Sequence, residues 1–401
     1  MILEAAFVDA KNAYCMCQVE IEGDLISRVG KSLTTVPDIT FPPNTVLVPG
    51  IIDLHTHLRY GQDYKEDINT GTLAAINGGV TRVMDMPNNP RGFAPVDKDS
   101  YSRKLEWAKK GHVPVHIYAG IGPKTRPFRE AKHYKVFMAE SVGDLFFEDL
   151  ETLDGVLDNY RGLQVTFHCE DPRILAKSKQ KDTHEKRRPP EAESCAVRNA
   201  IKLGEKYDLD VMIAHISCTE SIYHIHSAKT KVITEVTPHH LLLNEKMGIP
   251  RAYMNPPLRT RVDAGQLIQL LRAGQIDHVG SDHAPHTIEE KDEKNLSGIP
   301  GLDHMGQILG YLHLEYSIPL TVLCRAFSYN AAEFLGVKHG LIEPGYEASF
   351  AAIDLGQCKK ISPDNVKTKA GFTVYEGMTM PTVPFVMAQG RIVKQDSELT
   401  V

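Results

Sequence analysis

The sequence predicts an α/β chain: a (β/α)8 TIM barrel with a small β-sandwich domain assembled from the N- and C-terminal segments. Three observations predict it. Eight short apolar runs follow one another between positions 48 and 280, most of them separated by stretches of helical spacing. Eight such units over about 280 residues are more than a doubly wound sheet usually carries, and no G-x-G-x-x-G follows an early run, which removes the main support for a dinucleotide site. The two ends differ from the middle. Each holds only short β-like pieces broken by Gly and Pro, too few at either end for a stable sheet.

In chain order, the first pieces are Ala5 to Asp9, Cys15 to Ile21 and Leu25 to Val29. The barrel runs are Val48 to Leu54, Thr81 to Met86, Val113 to Ile121, Tyr134 to Met138, Leu163 to Phe167, Asp210 to His215, Lys231 to Val236 and Ile276 to Gly280. Helical spacing fills Lys65 to Asn77, Lys98 to Lys110, Glu191 to Tyr207 and Ala264 to Ala273. Gly122 to His133 is short and holds two prolines, so a helix is not expected there. The closing pieces are Ser349 to Ile353, Phe372 to Tyr375, Phe385 to Gln389 and Gly390 to Val393. This division predicts a β domain from 1–49 and 344–401 beside a barrel domain over 50–343.

A formal net charge of -6 with scattered Lys and Arg argues against nucleic acid or a membrane surface as the main partner. No apolar run approaches the roughly 18 to 20 residues of a membrane span, and the N-terminus lacks the basic and apolar regions of a signal peptide. Seven cysteines, an odd number, make no disulfide framework, so a cytoplasmic, reducing location is expected. Cys15 and Cys17 form a C-x-C pair without a second pair to complete a zinc knuckle and are read as small strand residues.

The strongest local signal is Asp53-Leu54-His55-Thr56-His57-Leu58-Arg59, which closes the first barrel run. Alternate strand residues face one side, so His55 and His57 present two imidazoles to one ion, at the strand end where barrel chemistry sits. His224 and His226 repeat the spacing inside a helical stretch, where i and i+2 diverge, and are read as surface. The same punctuation returns on later strands. His168 closes the fifth run, His215 ends the sixth, and Asp282 follows the eighth. Lys135 lies inside the fourth, where an ammonium is unfavourable unless neutralised or compensated.

On these residues the chain resembles the cyclic-amide hydrolases of the amidohydrolase superfamily, and among them the dihydroorotases. The resemblance spans nearly all of the chain. It implies two Zn2+ per subunit: His55, His57 and Asp282 match the ligands of one, and His168 and His215 those of the other. Lys135 matches a bridging lysine that many members carry N6-carboxylated, which puts the chain in the lysine-bearing branch; several bacterial dihydroorotases of similar length use an aspartate bridge instead. Four smaller motifs favour dihydroorotase: Arg59 for the substrate carboxylate, Asn88 in Met86-Pro87-Asn88, Asn255 in Asn255-Pro256-Pro257-Leu258-Arg259, and His286 in Ser281-Asp282-His283-Ala284-Pro285-His286. Glu235, Thr237, His239 and His240 match another recurring stretch and are given a supporting role.

The implied reaction is the reversible closure of N-carbamoyl-L-aspartate to L-dihydroorotate and water, a step of pyrimidine synthesis. A zinc-bridged hydroxide would attack the ring amide, with Asp282 as general base and then acid. The partners expected are this small-molecule substrate and, as the resemblance implies, a homodimer or an association with another pyrimidine-pathway enzyme. Ala139 to Phe147 and Thr287 to Gly301 both suit a lid. Two alternatives stand: another cyclic-amide hydrolase acting on hydantoin, dihydrouracil or allantoin, against which Arg59 and Asn255 argue, and a non-catalytic relative, which would show gaps in the ligand set.

Overall fold

The computed structural model describes residues 1–141 and 143–401. The chain opens with five strands, β1 (Ile2–Val8), β2 (Ala13–Glu22), β3 (Leu25–Gly30), β4 (Ile39–Thr40) and β5 (Thr45–Pro49). Parallel barrel strands follow: β6 (Ile51–Thr56), β7 (Val80–Asp85), β8 (Val115–Ile117), β9 (Ala119–Ile121), β10 (His133–Phe137), β11 (Gln164–His168), β12 (Asp210–Ile213), β13 (Val232–Val236) and β14 (His278–Val279). The expected run 113–121 is thus one barrel stave in two pieces. It breaks at Tyr118, whose N–H donates to Asp85 O at 3.0 Å.

The barrel closes between β14 and β6 through side chains as well as backbone. Leu54 N donates to His278 Nε2 (3.3 Å), Ser281 N to Asp53 Oδ1 (3.1 Å) and His57 N to His283 O (2.7 Å), beside a parallel bridge from Thr56 to His283. β14 is shorter than its apolar run suggests because Gly280 is pressed against the neighbouring staves. A Cβ there would lie 2.8 Å from Glu235 Oε2 and 3.1 Å from His55 Cβ. The N-terminal half of the barrel interior is apolar, filled by Ile52, Leu54, Met84, Tyr118 and Met212 and plugged by Ala331, Ala332 and Phe334 of the helix Asn330–Leu335. Polar residues are left to the opposite, C-terminal mouth.

The outer helices start on reciprocal caps: Asp67 with Thr70 for Ile68–Asn77, Asp97 with Ser100 for Lys98–Ala108, and Thr260 with Asp263 for Arg261–Arg272. No helix forms between Gly122 and His133, as its prolines predict. No helix among the described residues is long and apolar enough to cross a membrane.

The last strands, β15 (Phe350–Lys360), β16 (Thr379–Ala388), β17 (Arg391–Gln395) and β18 (Glu398–Leu399), return to the first five. They form one sheet in the order β18-β17-β16-β15-β5-β1-β2-β3, with β4 against β1. The sheet folds over a core of its own, in which Phe7 meets Phe350 and Phe41 meets Phe385 edge-on at centroid distances of 5.9 and 5.1 Å. The single apolar run expected over Val48 to Leu54 is therefore divided: β5 pairs with β15 and β6 with β7. Gly50 makes the change possible, since a Cβ there would come within 2.2 Å of Thr81 Oγ1.

Candidate active site

The C-terminal mouth gathers the expected ligands. His55 comes from β6 and His57 from just beyond it; their Nε2 atoms each lie 3.2 Å from Asp282 Oδ1. Each ring is held from behind. His55 Nδ1 donates to Glu235 Oε1 (2.6 Å) and His57 Nδ1 to Asn88 Oδ1 (2.9 Å), which leaves both Nε2 lone pairs facing a carboxylate oxygen. His55, His57 and Asp282 are a group whose ligand atoms all lie within 4.8 Å of one another. Bare lone pairs repel at such range, and a cation between them resolves the conflict.

A second group adjoins the first. His168 Nε2 donates to Glu170 Oε2 (2.9 Å), turning Nδ1 towards His215 Nε2 at 2.7 Å. The His55 and His215 rings are 5.2 Å apart, so the two groups share one wall. Lys135, on β10 between the staves carrying Gly120 and Thr166, is wholly buried, and its Nζ has no hydrogen-bond partner among the described residues. Burial lowers its pKa to about 8, against the opposing charges of Glu235 and Asp282. A neutral amine at such a position can be carboxylated, and the product is an anion suited to two cations. The nitrogen and oxygen donors, the facing lone pairs and this bare amine fit a metal centre.

Electrostatics agree with geometry. Burial lowers His57 to about 4 and His215 well below its usual value, so these rings are neutral and able to ligate. Arg59 (φ 59°), His215 (φ 39°) and Asp282 (φ 47°) all adopt left-handed backbone, which costs about 1–3 kcal/mol for a residue with a Cβ. Three such residues in one mouth aim side chains that regular strands would direct elsewhere.

The four expected substrate residues divide into two arms. Asn88 stands behind His57 and donates through Nδ2 to Ser141 Oγ (3.1 Å). On the other side, Arg59 Nε donates to Pro285 O (3.0 Å), His286 Nε2 to Ser297 O (3.1 Å), and Ser297 Oγ to Asn255 Oδ1 (2.9 Å). Burial lowers Arg59 to about 10, still charged at neutral pH, and burial with Arg59 and Lys65 lowers His286 to about 3. A cavity of about 620 Å³ opens beside this arm, lined by Ala139, Phe147, His184, Arg188, Tyr253 and Asn255. Of the two segments suited to a lid, 139–147 includes Val142, which lies outside the described residues. The other is pinned by Lys291 Nζ, which donates to the carbonyls of Tyr253, Leu296 and Gly298.

Several contributors were not singled out from sequence. Asp53 accepts from His55 N (2.9 Å) and Ser281 N, tying the first and eighth staves; burial raises its pKa to about 6. Its signal was its place two residues before His55. Glu170, paired with Arg188 and His168, sits two residues after a ligand. His224 and His226 lie at the end of the helix Thr219–His226, away from the mouth, as their spacing predicts.

Comparison with known proteins agrees with this architecture. Residues 46–393 match the model of the amidohydrolase family. The chain is 33% identical to the dihydroorotase of Methanosphaera stadtmanae, over 94% of this chain and 93% of that one. It is 32% identical to the dihydroorotase of Pyrococcus abyssi, over 88% and 85%. Among solved structures, it superposes on a dihydropyrimidinase from Brevibacillus agri with a TM-score of 0.88 and 25% identity, covering 100% of this chain and 96% of that one. The L-hydantoinase of Arthrobacter aurescens gives a TM-score of 0.91 at 20% identity, covering 100% and 97%, and so shares the fold. The barrel mouth with its His55-His57-Asp282 group and these relationships together place the chain in the amidohydrolase family, among the dihydroorotases.

Proposed function

We propose that the enzyme interconverts N-carbamoyl-L-aspartate and L-dihydroorotate, and that His55, His57, His168, His215, Asp282 and a carboxylated Lys135 would hold two zinc ions. When bound, the metals supply a water of lowered pKa and polarise the amide carbonyl. In the hydrolytic direction Asp282 removes the proton from the attacking water and returns it to the departing ring nitrogen. Glu235 and Asn88 keep the two imidazoles in the tautomer that ligates. Arg59 binds the ring carboxylate with its planar guanidinium, while Asn88, Asn255 and His286 orient the ring so that its carbonyl faces the water. All seven cysteines are free, which supports a reducing compartment such as the cytoplasm.

The observation that carries this reading is the buried, charged Arg59 two residues beyond His57, bonded to the carbonyl of Pro285, the residue before His286. A guanidinium there suits an anionic ring, which hydantoin, dihydrouracil and allantoin are not. The solved hydantoinases keep that second reading in play, and one assay separates the two. Initial hydrolysis rates are measured on dihydroorotate, hydantoin, dihydrouracil and allantoin, with zinc and bicarbonate present and again after chelation. Strong preference for dihydroorotate, lost on chelation, is expected; preference for an uncharged ring would overturn the substrate.

A further inference from the structure

Lys104 lies on the outer helix Lys98–Ala108, outside the barrel and remote in sequence from every ligand, yet its side chain is wholly buried. Its Nζ donates to Met86 O (2.6 Å) and Asn89 Oδ1 (2.9 Å), which bracket Asn88. The same atom lies 2.6 Å from Asp85 Oδ2, a charge contact off hydrogen-bond alignment. Asp85 in turn accepts from Leu58 N through Oδ1 (2.6 Å), between His57 and the left-handed Arg59. One ammonium therefore ties together the ends of β6 and β7, the two segments that bear Arg59 and Asn88.

The same helix braces the Arg59 segment a second time. Trp107, three residues on and so on the same face, packs on Tyr60 at a centroid distance of 4.9 Å, and Tyr60 meets Phe93 at 5.2 Å. Arg59 has to hold a left-handed backbone, which relaxes when nothing opposes it. The opposing bond is Leu58 N to Asp85 Oδ1, and the Lys104 ammonium, 2.6 Å from the other carboxylate oxygen, holds that fully buried side chain in place. Burial lowers the Lys104 pKa and Asp85 opposes the shift.

We propose that Lys104, acting through Asp85, is a positioning residue for substrate recognition: it sets Arg59 and Asn88 at the spacing the ring carboxylate and its neighbouring amide require. This rests on the dihydroorotate reading. It assigns Lys104 no contact with substrate and no part in the proton transfers.

Two variants test it, Lys104→Met and the double variant Lys104→Met/Asp85→Asn. The second leaves no unpaired buried charge and keeps an acceptor for Leu58 N, so it preserves folding where the first does not. Steady-state kinetics on dihydroorotate, bound zinc and thermal midpoint are measured for each against wild type. In the double variant KM is expected to rise about tenfold or more, in the range typical of lost supporting contacts, with kcat within about threefold and zinc unchanged. An unchanged KM, or kcat and zinc falling together while KM stays put, overturns the assignment, because a purely structural role predicts those results. Wild-type turnover of dihydroorotate reports on the substrate reading separately: its absence sinks that reading, whereas normal wild-type turnover with an unaltered double variant sinks only the role of Lys104.

Discussion

Two lysines lie wholly inside this protein, and their surroundings are opposite. Lys104 reaches inward from an outer helix and meets two oxygen acceptors and a carboxylate. Lys135 rises from the barrel floor on β10 and meets no acceptor among the described residues. Burial lowers the pKa of both. Of the two, only the Lys135 amine lacks a compensating bond, which leaves it free to react. A buried charge with complete bonding is framework; one with incomplete bonding marks where chemistry is to be added.

The sharpest way to break this contrast is to remove each amine. Lys135→Met is expected to abolish turnover and to lower bound zinc, while Lys104→Met/Asp85→Asn keeps its zinc; metal analysis of the two proteins side by side checks it, and equal loss would erase the distinction. Next in size, Asp282→Asn is expected to lower kcat by about 10²–10⁴-fold, the span typical of general acid–base groups. Metal content should hold, since the amide oxygen still faces His55 and His57. Normal turnover in that protein would remove Asp282 from the proton transfers.

Arg59→Met is expected to raise KM for dihydroorotate on the order of 10–100-fold, the worth of a charged hydrogen bond, with less change in kcat. Unchanged saturation kinetics would take the carboxylate away from Arg59. The smallest effect belongs to a half-buried charge, Glu347, which joins barrel to sheet through Arg82, His339 and Ser349. Burial raises its pKa, but His339 and Arg82 outweigh that and bring it from 4.5 to about 2. Because the folded value is the lower one, its stabilisation is complete above pH 4.5 and fades as pH falls towards 2. Glu347→Gln should therefore lose less thermal stability than wild type between neutral pH and about pH 3; parallel melting curves would show that the pair does not couple to protons.

The proposed ligand set was legible in the sequence because strands repeat every two residues and barrels keep their chemistry at strand ends. His55, His57, His168, His215 and Asp282 all punctuate apolar runs, and a lysine inside such a run stands out. The supporting groups were less visible. Lys104 sits in KDSYSRKLEWA, a segment rich enough in charge to pass as solvated, and only its register with Tyr101 and Ala108 places it on the inward stripe. The division at Gly50 was hidden for the opposite reason: both flanking strands are apolar, so composition could not show that they serve different sheets. Strand lengths failed where tertiary contacts override local preference, as at Gly280 and Tyr118.

The way β5 passes through Gly50 into β6 also dictates an order of events during synthesis. β6 can find β7 after a few dozen residues, but β5, though it has β1 on one side, must wait for β15 on the other, with Val48 opposite Ala351 and Pro49 opposite Phe350. On a ribosome the barrel therefore forms while one face of the first sheet is still open, exposing residues such as Leu3, Phe7 and Leu47 until the distant strands emerge. The nascent chain is most prone to aggregate in that interval, and the stave that carries His55 and leads to His57 is continuous with the segment left waiting.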